Sequence, residues 1–297
     1  MKTQLAFLVG CPRSGTTLLQ SLLASHPKVF SLQETKFFEN IIPTYEKKRL
    51  FFGLASRYAK RRIQNFFDDI DAPEYGNRFP SIISSSGRYT HVFFDVMSEI
   101  TQKNGKSIFL EKTPNHINFI SYIERYLPSA KVVHIIRNGE DVVASFYELV
   151  KKYPDTWGYG DRGLSYCIQK WISAVEKSEQ CLKKTNHAFV NYEKLLDNPE
   201  AELRRICRFL EVSFSAEMLE NYSSTGKKLV ENRETWKERV ATDIQAPQIR
   251  KFDVIFSDAE KTTIRNSIQC VDVSDRFQRI LAASSDLPSS SLLRELL

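Results

Sequence analysis

Residues Gly10-Cys11-Pro12-Arg13-Ser14-Gly15-Thr16-Thr17 set two glycines with four residues between them, among these a guanidinium, and two hydroxyls behind the second. Such a run closes a turn whose backbone N–H groups, with the N-terminus of a following helix, can surround an anion. Triphosphate chemistry places a lysine directly after the second glycine to neutralise crowded charge; here Thr16 holds that position and the nearest cation is Arg13. The loop therefore suits an anion of fewer charges, held by amides, hydroxyls and one guanidinium. The bland alternative is a turn with no ligand, and the flanking elements argue against it.

A loop of this kind needs a strand before it and a helix after it. Leu5 to Val9 is apolar on both sides and ends at a glycine, which reads as a buried strand. Leu18, Leu19, Leu22 and Leu23 then recur at helical spacing until His26-Pro27. Lys131–Ile136 repeats the pattern, with Asn138-Gly139 leading into Val142, Val143, Phe146 and Leu149. Ser107–Leu110 reads as a third strand ahead of Thr113-Pro114 and a helix carrying Ile117, Ile120, Ile123 and Leu127. His187–Val190 reads as a fourth, and Pro199 opens a helix with Leu203, Ile206, Phe209 and Leu210 on one face. This alternation predicts an α/β fold: a P-loop-type parallel sheet flanked by helices on both faces, with helical cap insertions at 37–90 and 150–185 over the carboxyl ends of the strands. The chain, 1–297, reads as a single domain whose last residues, from about Asp286, form a flexible tail.

Composition narrows the function. With 42% hydrophobic and 26% charged residues the chain can bury a core. A formal charge of +6 over 297 residues is weaker than nucleic-acid binders show and fits a phosphorylated small molecule. Apolar runs are too short for a membrane span or a signal-peptide core, and the five cysteines have no spacing suited to a disulfide frame or zinc, so a reducing, cytoplasmic setting without a metal is expected. The basic, partly amphipathic segment from Glu46 to Phe67 could meet a membrane surface or an acidic carrier, but reads as a helical cap with a solvated charged face.

Several segments, taken together, resemble the sulfotransferases that use 3′-phosphoadenosine 5′-phosphosulfate (PAPS) and release 3′-phosphoadenosine 5′-phosphate (PAP). Pro12-Arg13-Ser14-Gly15-Thr16-Thr17 is similar to the family's 5′-phosphosulfate loop, and Arg137 at a strand end with Ser145 eight positions on is similar to its 3′-phosphate segment. The stretch from Ser25 to Glu34-Thr35-Lys36 resembles the one in tyrosylprotein sulfotransferases that ends in Glu-Thr-Arg, which implies Glu34 as general base. Lys36 replaces the arginine and lacks its bidentate fork. Glu111-Lys112-Thr113-Pro114 resembles the Lys-Thr/Asp-Pro element, so Lys112, with Arg13, is implied to stabilise charge on the leaving group. The family's cytosolic members instead use a histidine two positions beyond that lysine; here Pro114 stands there, with His116 in reserve. Tyr192, in Asn191-Tyr192-Glu193, is implied to contact the nucleotide, and Ser224 and Lys237 loosely match a late nucleotide-covering loop. The resemblance runs from Gly10 to about Lys237 and implies sulfuryl transfer to an acceptor hydroxyl of unspecified class.

Two other readings compete. A nucleotide-triphosphate kinase would use His91-Val92-Phe93-Phe94-Asp95 as an apolar strand ending in a magnesium ligand. A non-catalytic nucleotide-binding protein would keep the fold without the chemistry.

Overall fold

The computed structural model describes residues 3–80, 83–157, 162–229, 249–269 and 271–283. The apolar run before the glycine loop forms β1 (Gln4–Gly10), and the leucine-rich run after it forms α1 (Thr16–Ala24). There follow β2 (Val29–Ser31), α2 (Phe37–Ile41), α3 (Lys47–Phe51), α4 (Ala59–Asp69), α5 (Ser86–Lys103), β3 (Ile108–Lys112), α6 (Ile120–Tyr126), β4 (Lys131–Ile136), α7 (Gly139–Lys152) and, after the helix Leu164–Glu179, β5 (His187–Asn191). All strand pairs are parallel, in the order β2-β3-β1-β4-β5.

Period-two alternation divides the core between the two faces of this sheet. Ala6, Leu8, Leu110, Val133, Ile135 and Val190 pack with Leu18, Leu19 and Leu22 of α1 and Leu203 and Ile206 of the helix Pro199–Phe209. Phe7, Val9, Phe109, Val132 and Phe189 pack with Phe94 and Met97 of α5, Phe146 of α7 and Trp171. Strands buried on both faces account for the near-continuous apolar runs in the sequence.

Some expected elements have different bounds. β3 runs two residues past Leu110, through Glu111 and Lys112, both buried. The helix expected over Ile117–Leu127 is a 3-10 turn, Pro114–Phe119, followed by the short α6. His91–Asp95 is not a strand but the middle of α5, with Asp95 exposed, which removes the kinase reading's metal-binding strand.

The site lies where the strand order reverses. The chain leaves β1 to build β2 and β3 on one side and crosses to β4 and β5 on the other, which opens a crevice at the carboxyl ends. The register aligns Gly10 with Ile135 and Ile136 with Asn191. The loop, Arg137 and Tyr192 therefore leave adjacent strands at one edge.

Candidate functional site

The glycine loop bridges β1 and α1. Ser14 N–H donates to Cys11 O at 3.1 Å, and Gly15 precedes α1 with no side chain capping the first turn. Gly15 has φ +91°, and a Cβ there would stand 2.3 Å from the Tyr192 ring, so only glycine lets the ring lie on the loop. Arg13 also adopts a left-handed conformation, φ +74°. Its Nε donates to Ser145 Oγ of α7 at 3.1 Å, joining the loop to the segment expected to hold a second phosphate.

Arg137 continues β4 and its guanidinium lies 4.4 Å from the centre of the Tyr192 ring, the same ring that packs against Gly15. Its Nη1 donates to Arg13 O at 3.4 Å, while its Nε is buried with no hydrogen-bond partner among the described residues. Trp171 Nε1 donates to Arg137 O at 3.0 Å and fixes the turn out of the strand. Asn138 caps α7, accepting from Glu140 N and Asp141 N, and its own N–H donates to Glu193 Oε1 at 2.9 Å. Burial and the neighbouring Arg137 charge lower the Arg13 pKa, a penalty an anion beside the two cations would relieve. Burial raises the Tyr192 phenol, which stays protonated and able to donate.

A second cluster follows β2 and β3. Lys112 Nζ, 2% exposed, donates to Glu34 Oε1 at 2.7 Å. Gln20 of α1 anchors the segment before Glu34, donating to Ser31 Oγ at 2.9 Å and Leu32 O at 2.7 Å. Beneath the pair, Glu111 Oε1 accepts from Thr35 Oγ1 at 2.8 Å and Thr113 Oγ1 at 2.7 Å, and Oε2 pairs with His116 Nδ1 at 2.8 Å. Phe38 N–H donates to His116 Nε2 at 3.2 Å, which leaves the ring proton on Nδ1, facing Glu111. Burial pushes the Glu111 carboxyl up, but His116 and the hydroxyls of Thr113 and Thr35 outweigh it and hold the pKa below the ordinary value.

The structure thus gathers Arg13, Ser14, Thr16, Thr17, Arg137, Ser145 and Tyr192 along the loop, and Glu34 with Lys112 beside it. Pro12 lies in the same loop, half-buried, and Lys36 is exposed. Ser224 does not join them: it is exposed on the helix Tyr222–Leu229 and donates to Asn221 O, and its neighbour Thr225 accepts from Ser25, just past the far end of α1. Lys237 falls outside the described residues. His116 is buried in the Glu111 network rather than facing the crevice. Sequence reasoning missed Glu111, Thr35, Thr113, Gln20 and Trp171. The cue for the first three was a glutamate and two threonines flanking the candidate base and lysine.

The fold also brings together residues with no shared motif. Donor atoms of His134, Cys181 and His187, all buried, lie within 4.8 Å of one another. The rings already bond each other, Ser178 and Glu124. Burial holds His134 well below its ordinary pKa and His187 at about 4, so both rings are neutral near pH 7.

A parallel sheet whose central strand runs into a glycine loop, with a further arginine at the end of the adjacent strand, defines a P-loop-type α/β fold. The chain belongs to the sulfotransferase family, whose model matches residues 6–216. It is 29% identical over 220 residues to a protein-tyrosine sulfotransferase of Drosophila melanogaster, covering 72% of this chain and 39% of the relative. Against protein-tyrosine sulfotransferase 1 of Danio rerio it is 26% identical over 231 residues, covering 75% and 57%. The chain thus aligns with 39% to 57% of the length of these two relatives. In fold it is similar to the sulfotransferase domain of the Synechococcus PCC 7002 olefin synthase, with a TM-score of 0.53 and 19% identity over 97% of this chain and 98% of that one. A mouse sulfotransferase complexed with PAP gives 0.51 and 14% over 96% and 89%.

Proposed function

We propose that the chain is a PAPS-dependent sulfotransferase that moves a sulfuryl group in line to an acceptor hydroxyl. The observation that carries this reading is the pairing of two anion-ready cations with a base–cation pair one strand away: Arg13 and Arg137 around the loop, and Glu34 with Lys112 at 2.7 Å. The residues fit the nucleotide. Arg137 offers a buried, unpartnered Nε, and Tyr192 offers an aromatic ring with a protonated hydroxyl beside it. Pro12 to Thr17 would cradle the 5′ end, Arg137 and Ser145 the 3′-phosphate, and Tyr192 the nucleoside; Ser224, which does not join the loop, takes no part in this assignment, and Lys237 rests on the resemblance alone.

When bound, PAPS supplies the sulfuryl group and leaves as PAP. Glu34 takes the acceptor hydroxyl's proton on a carboxylate oxygen as the oxygen attacks sulfur. Lys112 and Arg13 hold positive charge where negative charge grows on the departing phosphate oxygen. Before ligands arrive, the Glu34–Lys112 contact keeps both charges partnered. The likeness to protein-tyrosine sulfotransferases supports a hydroxyl acceptor, with a phenolic hydroxyl the first to assay.

Calorimetric titration tests the donor. PAP should bind without magnesium and far more tightly than ATP with it. A preference for ATP and magnesium would replace this reading with the kinase, and PAP binding with no transfer to any hydroxyl would favour the non-catalytic protein.

A further inference from the structure

The cap insertion contains a surface that the proposed chemistry does not use. Residues 45–62 carry seven lysines and arginines against one carboxylate, Glu46, a local excess equal to the whole chain's formal +6. The solvated-cap expectation holds for α4, which buries Ala59, Ile63, Phe66 and Phe67 and turns Lys60, Arg61 and Arg62 outward. It fails for α3, which buries no residue. Phe51 is 85% exposed and Phe52 70%, with their rings packed edge-to-face on each other at 5.2 Å. Tyr45 is fully exposed, and Ile83, 78% exposed, stands two residues before Ser85, which bridges to Leu54. Among the described residues, six of the eight exposed large hydrophobic side chains fall in residues 45–58 or at Ile83.

Burial explains none of these side chains. Three aromatics and an isoleucine leave on the order of 500 Å² of apolar surface in water, as large as the patches that mark interaction sites. Lys47, Lys48, Lys60 and Arg61, all exposed, belong to the same stretch of chain and select an anionic occupant. A second copy of the same face would meet like charge with like charge. We propose that this face docks on an anionic lipid surface, with Tyr45, Phe51, Phe52 and Ile83 entering the headgroup region and the cations meeting lipid phosphates. A lipid surface fits better than an acidic protein because α3 offers rings standing out from the fold, and aromatic side chains of this kind settle at the boundary between headgroups and acyl chains. Docking here is independent of the sulfotransferase reading, since no residue of the loop, Arg137, Glu34 or Lys112 takes part.

Cosedimentation of the full chain with vesicles tests it, using phosphatidylcholine alone and with about 30% phosphatidylserine at about 0.1 M salt. The chain should pellet with the anionic vesicles and not with the neutral ones. Lys47→Ala/Lys48→Ala should weaken binding about thirtyfold, taking roughly a kilocalorie per mole for each cation. Phe51→Ser/Phe52→Ser should weaken it at least about tenfold. Both pairs are exposed, so melting temperature and PAP affinity should match the wild type, which separates lost docking from lost fold. No pelleting with anionic vesicles overturns the proposal. So does pelleting that the phenylalanine variant leaves intact, which would be charge attraction alone. Tight binding to polyglutamate that depends on Phe51 and Phe52 and exceeds vesicle binding assigns the face to an acidic protein instead, and self-association lost in the same variant assigns it to a second copy.

Discussion

Glu111 supports the proposed base and cation without facing the crevice, and replacing it has a calculable cost. Its carboxylate takes three donors, from Thr35, Thr113 and His116. Each of the three also accepts a backbone N–H, which fixes its position. Thr35 Oγ1 already accepts from Phe37 N at 3.1 Å and Thr113 Oγ1 from Lys36 N at 3.1 Å, while His116 Nε2 accepts from Phe38 N. In Glu111→Gln, an amide oxygen turned to His116 leaves the NH2 facing two hydroxyls whose protons lose their acceptor; the opposite orientation sets the NH2 against the His116 N–H. Each orphaned buried donor costs about 1–3 kcal/mol, so the substitution should destabilise the protein by about 2–4 kcal/mol. Glu111→Ala adds a cavity and should cost about 3–5 kcal/mol. Scanning calorimetry at neutral pH should show the glutamine variant melting about 5–10 °C below the wild type. The pH dependence gives a second readout. Because the folded carboxyl lies below its ordinary value, the unfolded chain takes up a proton first as pH falls. The stabilisation is therefore complete above about pH 5 and lost as pH drops through the folded pKa, and Glu111→Gln should flatten that acid limb. Melting within about 1 °C of wild type, or an unchanged acid limb, would refute the reasoning.

Arg137→Ala should weaken PAP about 10- to 100-fold in calorimetry while changing adenosine 5′-phosphosulfate, which lacks the 3′-phosphate, by less than about threefold; equal losses contradict its role. Glu34→Gln should lower transfer to a phenolic hydroxyl by about 10²–10⁴-fold with PAP affinity within about threefold, and an unchanged rate would exclude it as the base. Gly15→Ala places a Cβ 2.3 Å from the Tyr192 ring at φ +91°, so PAP affinity should fall by at least about tenfold and the melting temperature should drop. Adding Tyr192→Ala should recover part of the stability, leaving only the backbone strain; a double variant as unstable as the two costs summed would mean that ring and loop do not touch.

The donor side of the site was legible in the sequence because each part carries a local signature. β4 occupies Lys131–Ile136, as the apolar run predicts, and β1 extends its expected span by one residue at each end. The acceptor side was less so. β3 ends in Glu111 and Lys112, whose charges look like a loop in sequence but are buried in the strand because each has a partner. β2 has only three residues and leaves no periodicity to read. The helix expected after Thr113 is split because Pro114 starts a tighter turn, and that turn brings His116 under Glu111. Contacts such as Thr35 with Glu111, 76 residues apart, arise from strand order, which no local pattern encodes.

The order of the strands also separates two inheritable parts. The residues proposed to grip the nucleotide follow β1, β4 and β5, while the candidate base stands between the edge strand β2 and the helices α2 to α5 that precede β3. Length or sequence changes within residues 37–106 that keep the buried Phe38 and Phe94 against Phe7 of β1 can reshape what meets Glu34 without altering the register of the three strands on the other side of the crevice. Exchanging that stretch between related chains is thus a direct way to graft a new acceptor preference onto an unchanged donor grip.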